Sequence, residues 1–539
     1  MRTALFGALV AAIATLPGLG TGTLWDNSET TYGEVAREIL LTHDWVVMHL
    51  NLTPWFVQPP LYFWIAALFS KIFGVGTFAL RLPSALATVA MGAAIGYATT
   101  TLAGSRVGMY GAVVLSTSLM QAVIGRMAIM DALLDLAIAV GTLALFRAFT
   151  GGRPLLSVFG AAIAIAFGIV AKGPVAFVVV ALVIVPWFAW ERYAGARLTY
   201  PPAWSWFAAL AVLLGIDTPW FALFVSHAGP SAFGELIGHY TFGRYVGTIE
   251  NQSGPIWYYV PVVILGFFPW IAYLPGAIAA AWRHARTPNG LSVHVARLAL
   301  VWSVVPFVFF SLAGTKLPNY VAVELPALAI LVALWFDRLV LGEHRRTAVI
   351  ATAVIPLTIG AVAIAIAVFA RDAHILAGAE AVRGDLSIMG AIIFIGSIAT
   401  LVVLWMQRTE TAPYVFAATA IVMVTYTVFV AEPDAERFKA VPQLAAIIRE
   451  RARTGDLIAI QGVAGGYGLI FYTRPPVDII GADADAHAAI CSARRTFLIT
   501  STKRVRAEAV DGREEHVVAT RGNDVLLLFT SPRPEPVRC

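Results

Sequence analysis

Long apolar runs recur along this chain and restrict the environment in which it can fold. Of its 539 residues, 59% are hydrophobic and only 13% are charged, about half the roughly 25% that soluble domains carry. A helix needs roughly 20 apolar residues to cross the bilayer core. The pattern therefore predicts a polytopic α-helical membrane protein.

About thirteen runs are long enough to span a membrane. They lie at 3–20, 81–103, 106–124, 131–150, 155–171, 173–190, 206–226, 257–282, 298–313, 319–336, 347–370, 385–407 and 412–430. We interpret the first run as an uncleaved span rather than a signal peptide. The apolar segment 61–74 reaches only about 21 Å as a helix, so we expect it to lie at the membrane interface.

Basic residues in the short loops predict the orientation. With the N-terminus inside, the inner loops hold Arg106, Arg153, Arg192, Arg197, Arg283, Arg286, Arg345, Arg346 and Arg408. The first loop, 21–80, then lies outside, and an odd number of spans puts the C-terminal tail outside too. We expect a multi-pass protein of the inner (plasma) membrane with an extracytoplasmic tail.

The tail changes character and predicts a second domain at 432–539, after a transmembrane domain at 1–431. Short strand-like runs alternate there with helical patterns, which is typical of a small α/β domain. The only cysteines, Cys491 and Cys539, lie in this tail, and whether they form a disulfide is left open. The net charge is +5, and the basic residues are spread over the loops without forming a basic block. Nucleic acid is therefore not an expected partner.

Ionisable residues collect at breaks between the apolar runs, all on the predicted outer face. They are Asp26, Glu29, Arg126, Asp131, Lys172, His239, Arg244 and Lys316. A transporter should hold charges near the midplane, where the sequence offers only Asp217, whereas an active site gathers them at one surface. An enzyme is therefore favoured over a lipid or sugar transporter or a non-catalytic membrane subunit.

Some of these residues also have a structural explanation, while Lys172 is harder to explain in that way. Asp26 and Glu29 have the spacing of a capping box, before a helical pattern at 29–41 with an apolar face and a face holding Glu34, Arg37 and Glu38. Arg126 and Asp131 could form a structural pair or a snorkelling anchor at the membrane boundary. Lys172 stands in a very short turn, where it must reach the surface or meet an anion.

Several segments in order resemble the GT-C membrane glycosyltransferases, closest to the group that includes the protein mannosyltransferases and the lipid A aminoarabinose transferases. They are SETTYGEVAREILLTHDW (28–45), WFVQPPLYFW (55–64), RMAIMDALL (126–134), AKGP (171–174), the stretch from His239 to Arg244, GPIWYYVPVVILGFFPW (254–270) and FFSLAGTKLPNY (309–320). The resemblance implies a GT-C fold with an outer α/β domain.

The resemblance also implies a function. The chain would move a sugar from a polyprenyl-phosphate donor to an envelope lipid, glycan or protein acceptor on the outer face, with inversion. Cations stabilise the phosphate leaving group, and a carboxylate activates the acceptor hydroxyl. The candidate substrate-binding residues are Tyr32, Gln58, Arg126, Asp131, Lys172, His239, Arg244, Lys316 and Tyr320.

The chain departs from the family pattern at the expected catalytic position. The family's carboxylate aligns with Ser28, its arginine with Thr31, and its Glu-Lys pair with Val57 and Gln58. We therefore transfer the catalytic role to Asp26, with Glu29 as the alternative. No cofactor is certain, and a divalent metal is left open.

Overall fold

The computed structural model describes residues 1–25, 27–249, 252–287, 290–369, 380–463, 465–473, 476–481, 483–504 and 513–531. The chain forms two compact units. The first unit contains Met1–Leu19, Phe56–Tyr62 and Arg81–Ala431, and the second contains Gly20–Trp55, Phe63–Leu80 and Glu432–Cys539. The predicted tail thus shares its unit with most of the predicted first loop.

Helices make up most of the described chain. In chain order they are α1 (Arg2–Thr15), α2 (Glu29–Thr42), α3 (Leu61–Phe73), α4 (Thr77–Ala103), α5 (Ser105–Ser116), α6 (Leu119–Arg126), α7 (Asp131–Phe149), α8 (Pro154–Lys172), α9 (Val175–Tyr193), α10 (Ala203–Phe233), α11 (Arg244–Val246), α12 (Tyr259–Gly266), α13 (Leu274–Ala285), α14 (Leu291–Leu312), α15 (Leu325–Val340), α16 (Arg345–Val354), α17 (Pro356–Phe369), α18 (Glu380–Trp405), α19 (Ala412–Tyr426), α20 (Glu432–Glu436), α21 (Ala440–Arg451), α22 (Gly468–Tyr472) and α23 (Asp483–Ser492). A π-helical segment, Gly234–Gly243, joins α10 to α11, and a 3₁₀ segment, Pro318–Glu324, precedes α15.

Ten helical segments in the described residues are long and apolar enough to cross a membrane, and the bent pair α5 and α6 makes an eleventh. The polytopic α-helical class is thereby confirmed. Two of the predicted runs fall short. The run 3–20 forms the 14-residue α1, and the run 257–282 is divided into α12, a 3₁₀ turn and α13. Prolines 269 and 275 lie within that divided stretch, where proline cannot continue a regular helix.

Close packing of α7, α8 and α9 fixes the part of the first unit that carries the candidate site. A Cβ atom at Gly168 of α8 would lie 2.6 Å from the Cβ of Ala176 on α9 and 3.0 Å from that of Ala137 on α7. Both distances are shorter than a carbon–carbon contact. Glycine at this position therefore lets the three helices approach each other.

The second unit contains a five-stranded sheet and a small hairpin. The hairpin strands are β1 (His49–Leu50) and β2 (Thr53–Pro54), and the sheet strands are β3 (Leu457–Gln461), β4 (Asp478–Ile480), β5 (Arg495–Ser501), β6 (Glu514–Arg521) and β7 (Asp524–Thr530). The sheet order is β4-β3-β5-β7-β6. Strand β3 runs parallel to both of its neighbours, β4 and β5. Strand β7 runs antiparallel to both of its neighbours, β5 and β6. Helices α21 and α22 cover one face and α23 the other. The predicted small α/β fold is confirmed, while a domain boundary at 431 stays a prediction.

Helix α2 packs within this second unit against α22. The guanidinium of Arg37 donates to the carbonyls of Phe471 and Ile470 at 2.9 and 3.2 Å. On the charged face of α2, Glu34 and Glu38 are fully buried. Arg37 forms an ion pair with Glu34 at 2.6 Å, yet burial raises the pKa of Glu34 to about 8.

Candidate functional site

A cavity of about 230 Å³ opens in the first unit near the start of α7 and the end of α8. Its walls are mostly aromatic and aliphatic, with a few polar groups that converge on the space. The polar side chains are those of Gln58, Asp131, Lys172, Thr241, Arg244 and Asn319, and the aromatic ones are Tyr240, Phe242, Tyr245, Phe309, Phe310 and Tyr320. An apolar cavity with few convergent polar groups is the usual form of a ligand site.

Asp131 and Lys172 form an ion pair inside this cavity. The ammonium of Lys172 lies 2.5 Å from Oδ1 of Asp131, and the two side chains are 13% and 4% exposed. Removing one partner of a buried pair leaves an uncompensated charge, which costs about 3–5 kcal/mol. Breaking the pair should therefore lower the stability of the fold, in addition to any effect on ligand binding.

The helix ends explain where the two charges sit. Asp131 is the first residue of α7 and Lys172 the last residue of α8, so each charge lies at the helix end whose dipole favours it. Gly173 follows Lys172 with a φ of +82°, a conformation that glycine adopts without steric cost. This residue turns the chain sharply from α8 toward α9.

Asn319 is a site residue that the sequence reasoning missed. Its amide nitrogen donates to the same Oδ1 of Asp131 at 2.6 Å, and the ammonium of Lys172 lies 5.3 Å from the ring centroid of the adjacent Tyr320. The only sequence signal was its place in the LPNY segment, next to the candidate Tyr320.

Arg244, the first residue of α11, also lines the cavity. Its guanidinium lies 5.8 Å from the ring centroid of Tyr240, and its carbonyl accepts the amide of Thr315 at 2.9 Å. A Cβ at Gly314 would lie 2.6 Å from backbone atoms of Gly247. Glycine in the SLAGTK segment thus permits the backbone contact that holds the chain around Arg244.

In the first unit, three of the predicted residues do not line this cavity: Arg126, Lys316 and His239. Arg126 donates to the carbonyls of Thr15 and Pro17 at 2.7 Å and of Gly18 at 3.0 Å, which places its guanidinium just beyond the end of α1. This geometry differs from the predicted structural pair, since Asp131 is paired with Lys172.

Lys316 and His239 also do not line the cavity. The ammonium of Lys316 donates to the carbonyls of Ser311 and Ala313 at 2.9 and 2.6 Å, capping the end of α14, and burial lowers its pKa. His239 is exposed and contacts Tyr240 edge-to-face, with ring centroids 4.8 Å apart.

Glu29 of the first loop belongs to the second unit. Asp26 lies outside the described residues. Glu29 is fully buried and accepts the amide of Trp25 at 2.7 Å. The capping-box prediction is wrong in its register, because Ser28 is the N-cap and Glu29 is the first helical residue.

Tyr32 is held by aromatic contacts in the same unit. Its ring meets those of Trp55 and Phe63 edge-on, with centroid distances of 6.3 and 5.8 Å. Such contacts account for its position without a ligand.

The described residues do not assemble a metal site. Among them no group of three or more His, Cys, Asp or Glu side chains could hold a metal ion, and the buried carboxylate in the cavity, Asp131, is already bound by Lys172 and Asn319.

Known proteins resemble this chain in sequence and in fold. Residues 57–222 match the family described as dolichyl-phosphate-mannose-protein mannosyltransferase. The crystal structure of ArnT from Cupriavidus metallidurans bound to undecaprenyl phosphate superposes with a TM-score of 0.81, covering 97% of both chains at 21% identity. The apo structure of that protein gives a TM-score of 0.80.

The chain has the GT-C membrane fold.

Sequence relatives point to the same group. The undecaprenyl phosphate-alpha-4-amino-4-deoxy-L-arabinose arabinosyl transferase of Erwinia tasmaniensis is 31% identical over 341 residues, which cover 62% of this chain and 59% of that protein. A second such transferase, from Edwardsiella ictaluri, is 29% identical over 343 residues. The matched region thus spans less than two thirds of the length of these relatives. The resemblance to the aminoarabinose transferases that the sequence motifs indicated is confirmed.

Proposed function

We propose that this GT-C protein is a glycosyltransferase that takes a sugar from a polyprenyl-phosphate donor. The observation that carries the proposal is the cavity in which Lys172 and Arg244 face an aromatic, apolar wall. A polyprenyl-phosphate sugar has the same two parts, an anionic phosphate and an apolar chain. The names of the relatives and the ligand of the ArnT structure support this donor class.

The chemistry follows from the charge that develops during transfer. The bond between the sugar's anomeric carbon and the phosphate oxygen breaks, and the acceptor oxygen forms a new bond to that carbon. The donor phosphodiester becomes a phosphomonoester, which can carry one more negative charge. Cations already in place at that phosphate lower the barrier because they need no reorganisation as the charge grows.

Within this proposal, some cavity residues contact the phosphate, others position Lys172, and others form the wall around the donor. Lys172 acts as a point charge toward the phosphate, and Arg244 offers a planar fork of donors. Asp131 and Asn319 act through Lys172 by fixing its ammonium. Gln58 and Tyr320 complete the wall around the donor.

The acceptor needs a base that removes its hydroxyl proton as the new bond forms. The sequence hypothesis gives this role to Asp26, with Glu29 as the alternative. We propose an envelope lipid as the acceptor, with an amino-pentose and lipid A as the first pair to test, because the relatives are named as aminoarabinose transferases. We place the reaction on the outer face of the inner membrane.

A variant without the Lys172 charge tests the proposed donor site. In membranes supplied with undecaprenyl-phosphate aminoarabinose and lipid A, Lys172→Ala should slow transfer by roughly 10²–10³-fold, the size of one lost oxyanion donor. Arg153→Ala is the matched control, since this exposed arginine precedes the opposite end of the same helix; it should keep full transfer.

A folding defect can be separated from a loss of chemistry. The double variant Lys172→Ala with Asp131→Asn removes both charges of the buried pair, so it should fold better than Lys172→Ala while remaining as inactive. Wild-type transfer by either variant at equal protein level would contradict the proposal.

A further inference from the structure

A second cavity lies in the first unit, beside the other end of α14, a helix that also lines the candidate site. It has a volume of about 330 Å³, and its walls come mainly from α13, α14 and α15. On α14, Phe310 lines the first cavity and Ala296 the second. Fourteen residues of helix separate them, or about 21 Å, so the two cavities are distinct.

Small apolar side chains create the floor of this cavity. Ala277, Ala280 and Ala281 of α13 face Ala296 of α14, and Leu331 closes the floor from α15. Alanines on facing helices leave room that larger side chains would fill. The floor is therefore shaped for an apolar group rather than for a small hydrophilic ion.

The rim is polar and carries basic side chains. Arg338 donates to Nδ1 of His284 at 3.1 Å. Because an arginine can only donate, His284 is the tautomer that carries its proton on Nε2, where it donates to Ser292 at 3.1 Å. A smaller adjoining cavity of about 180 Å³ shares His284 and Arg338 and adds Arg283.

In the smaller adjoining cavity, two arginines, Arg283 and Arg338, stand against one acid, Glu343. Glu343 lies 3.4 Å from Arg338, and Asp337 lies 3.3 Å from Arg106. Arg283 is exposed and, in the part of the chain that is described, forms no ion pair. An anionic group that entered here would meet Arg283 without displacing an existing acid.

An aromatic residue marks the same rim as a lipid-facing edge. Trp282, next to Arg283, is 46% exposed, and the guanidinium of Arg286 lies 4.9 Å from its ring centroid. Exposed tryptophan beside basic residues is typical of the level of the lipid headgroups. Basic pockets between membrane helices bind anionic headgroups.

We propose that this second cavity is a binding site for an anionic phospholipid, with the phosphate at Arg283 and Arg338 and the start of an acyl chain over the alanine floor. The proposal goes beyond the transferase function and does not depend on it. A phospholipid headgroup and free phosphate would both present an anionic phosphate to the arginines. The apolar alanine floor favours the phospholipid, because only the lipid has an acyl chain to place there.

Lipid retention measures this site directly. The full-length protein is reconstituted in nanodiscs of equal parts phosphatidylcholine and phosphatidylglycerol, extracted gently, and analysed by native mass spectrometry. Wild type should retain phosphatidylglycerol in preference to phosphatidylcholine. Arg283→Ala should lower the retained phosphatidylglycerol by about fivefold, the effect expected of one basic residue at an anionic headgroup.

Two further variants complete the design. Ala280→Leu fills the floor without changing charge and should lower retention as well, whereas Arg153→Ala removes an exposed arginine elsewhere and should not. Equal retention of both lipids, or equal loss in Arg283→Ala and Arg153→Ala, would overturn the proposal. Displacement of the lipid by millimolar inorganic phosphate would overturn the assignment to a lipid and leave only a phosphate site.

Discussion

At the scale of single residues, the candidate site depends on how one lysine is held. Oδ1 of Asp131 accepts both the Lys172 ammonium and the Asn319 amide. Two donors on one carboxylate oxygen fix its orientation, and the lysine is fixed with it. A preorganised cation is worth more to a developing phosphate charge than a mobile one.

The acid that activates the acceptor is a separate question at this scale. Asp26→Asn keeps the size of the side chain but removes the base, so we expect transfer to fall by roughly 10²-fold or more while donor binding persists. Glu29→Gln should reduce transfer less, because a glutamine carbonyl can still accept the Trp25 amide that Glu29 binds. The measurement is transfer rate beside undecaprenyl-phosphate binding for both variants. A near-normal Asp26→Asn protein with an inactive Glu29→Gln protein would transfer the catalytic role to Glu29.

Charged residues at helix ends are visible in the sequence, but their roles are not. Lys172 and Lys316 both stand in short turns between apolar runs, yet Lys172 faces the cavity and Lys316 caps the carbonyls of α14. A helix end attracts cations for either purpose. Asn319 was missed because its partner Asp131 is 188 positions away, and such a contact leaves no local pattern.

At the scale of elements, apolar periodicity predicted the helices well and their interruptions poorly. The runs that form α7, α8 and α9 were placed within a few residues. The run 257–282 was predicted as a single span, but the segment from Tyr259 to Ala285 holds two helices and a 3₁₀ turn. Hydropathy alone does not show where a proline ends a helix inside an apolar run.

Helix α3 determines the predicted orientation of every later loop. It is a 13-residue apolar helix, about 20 Å long, which fits the prediction that it lies at the interface. If so, exposed cysteines introduced at Thr42 and Glu450 should react with an impermeant maleimide in intact spheroplasts, in a background with Cys491 and Cys539 changed to serine. Ser105→Cys, in a predicted inner loop, should react only after permeabilisation. Protection at Thr42 or Glu450 would show that the predicted layout is wrong.

At the scale of the whole molecule, the sequence motifs and the fold lead to the same group of proteins. The motifs predicted a GT-C fold with a small α/β tail, and ArnT superposes over 97% of the chain. What the motifs could not provide was the assignment of residues 20–55 to the unit of the tail. That assignment arises from contacts such as those between Asn51 and Val477, which lie far apart in the sequence.

The central claim is that the cavity of Lys172 and Arg244 receives the phosphate of a polyprenyl lipid. Its most direct test is an electron cryo-microscopy structure of the protein in nanodiscs with undecaprenyl phosphate. The account predicts phosphate density within ~3 Å of the Lys172 ammonium and the Arg244 guanidinium, at hydrogen-bond distance, with the isoprenoid chain along the aromatic wall. Phosphate density at another place, with this cavity empty at saturating lipid, would contradict it.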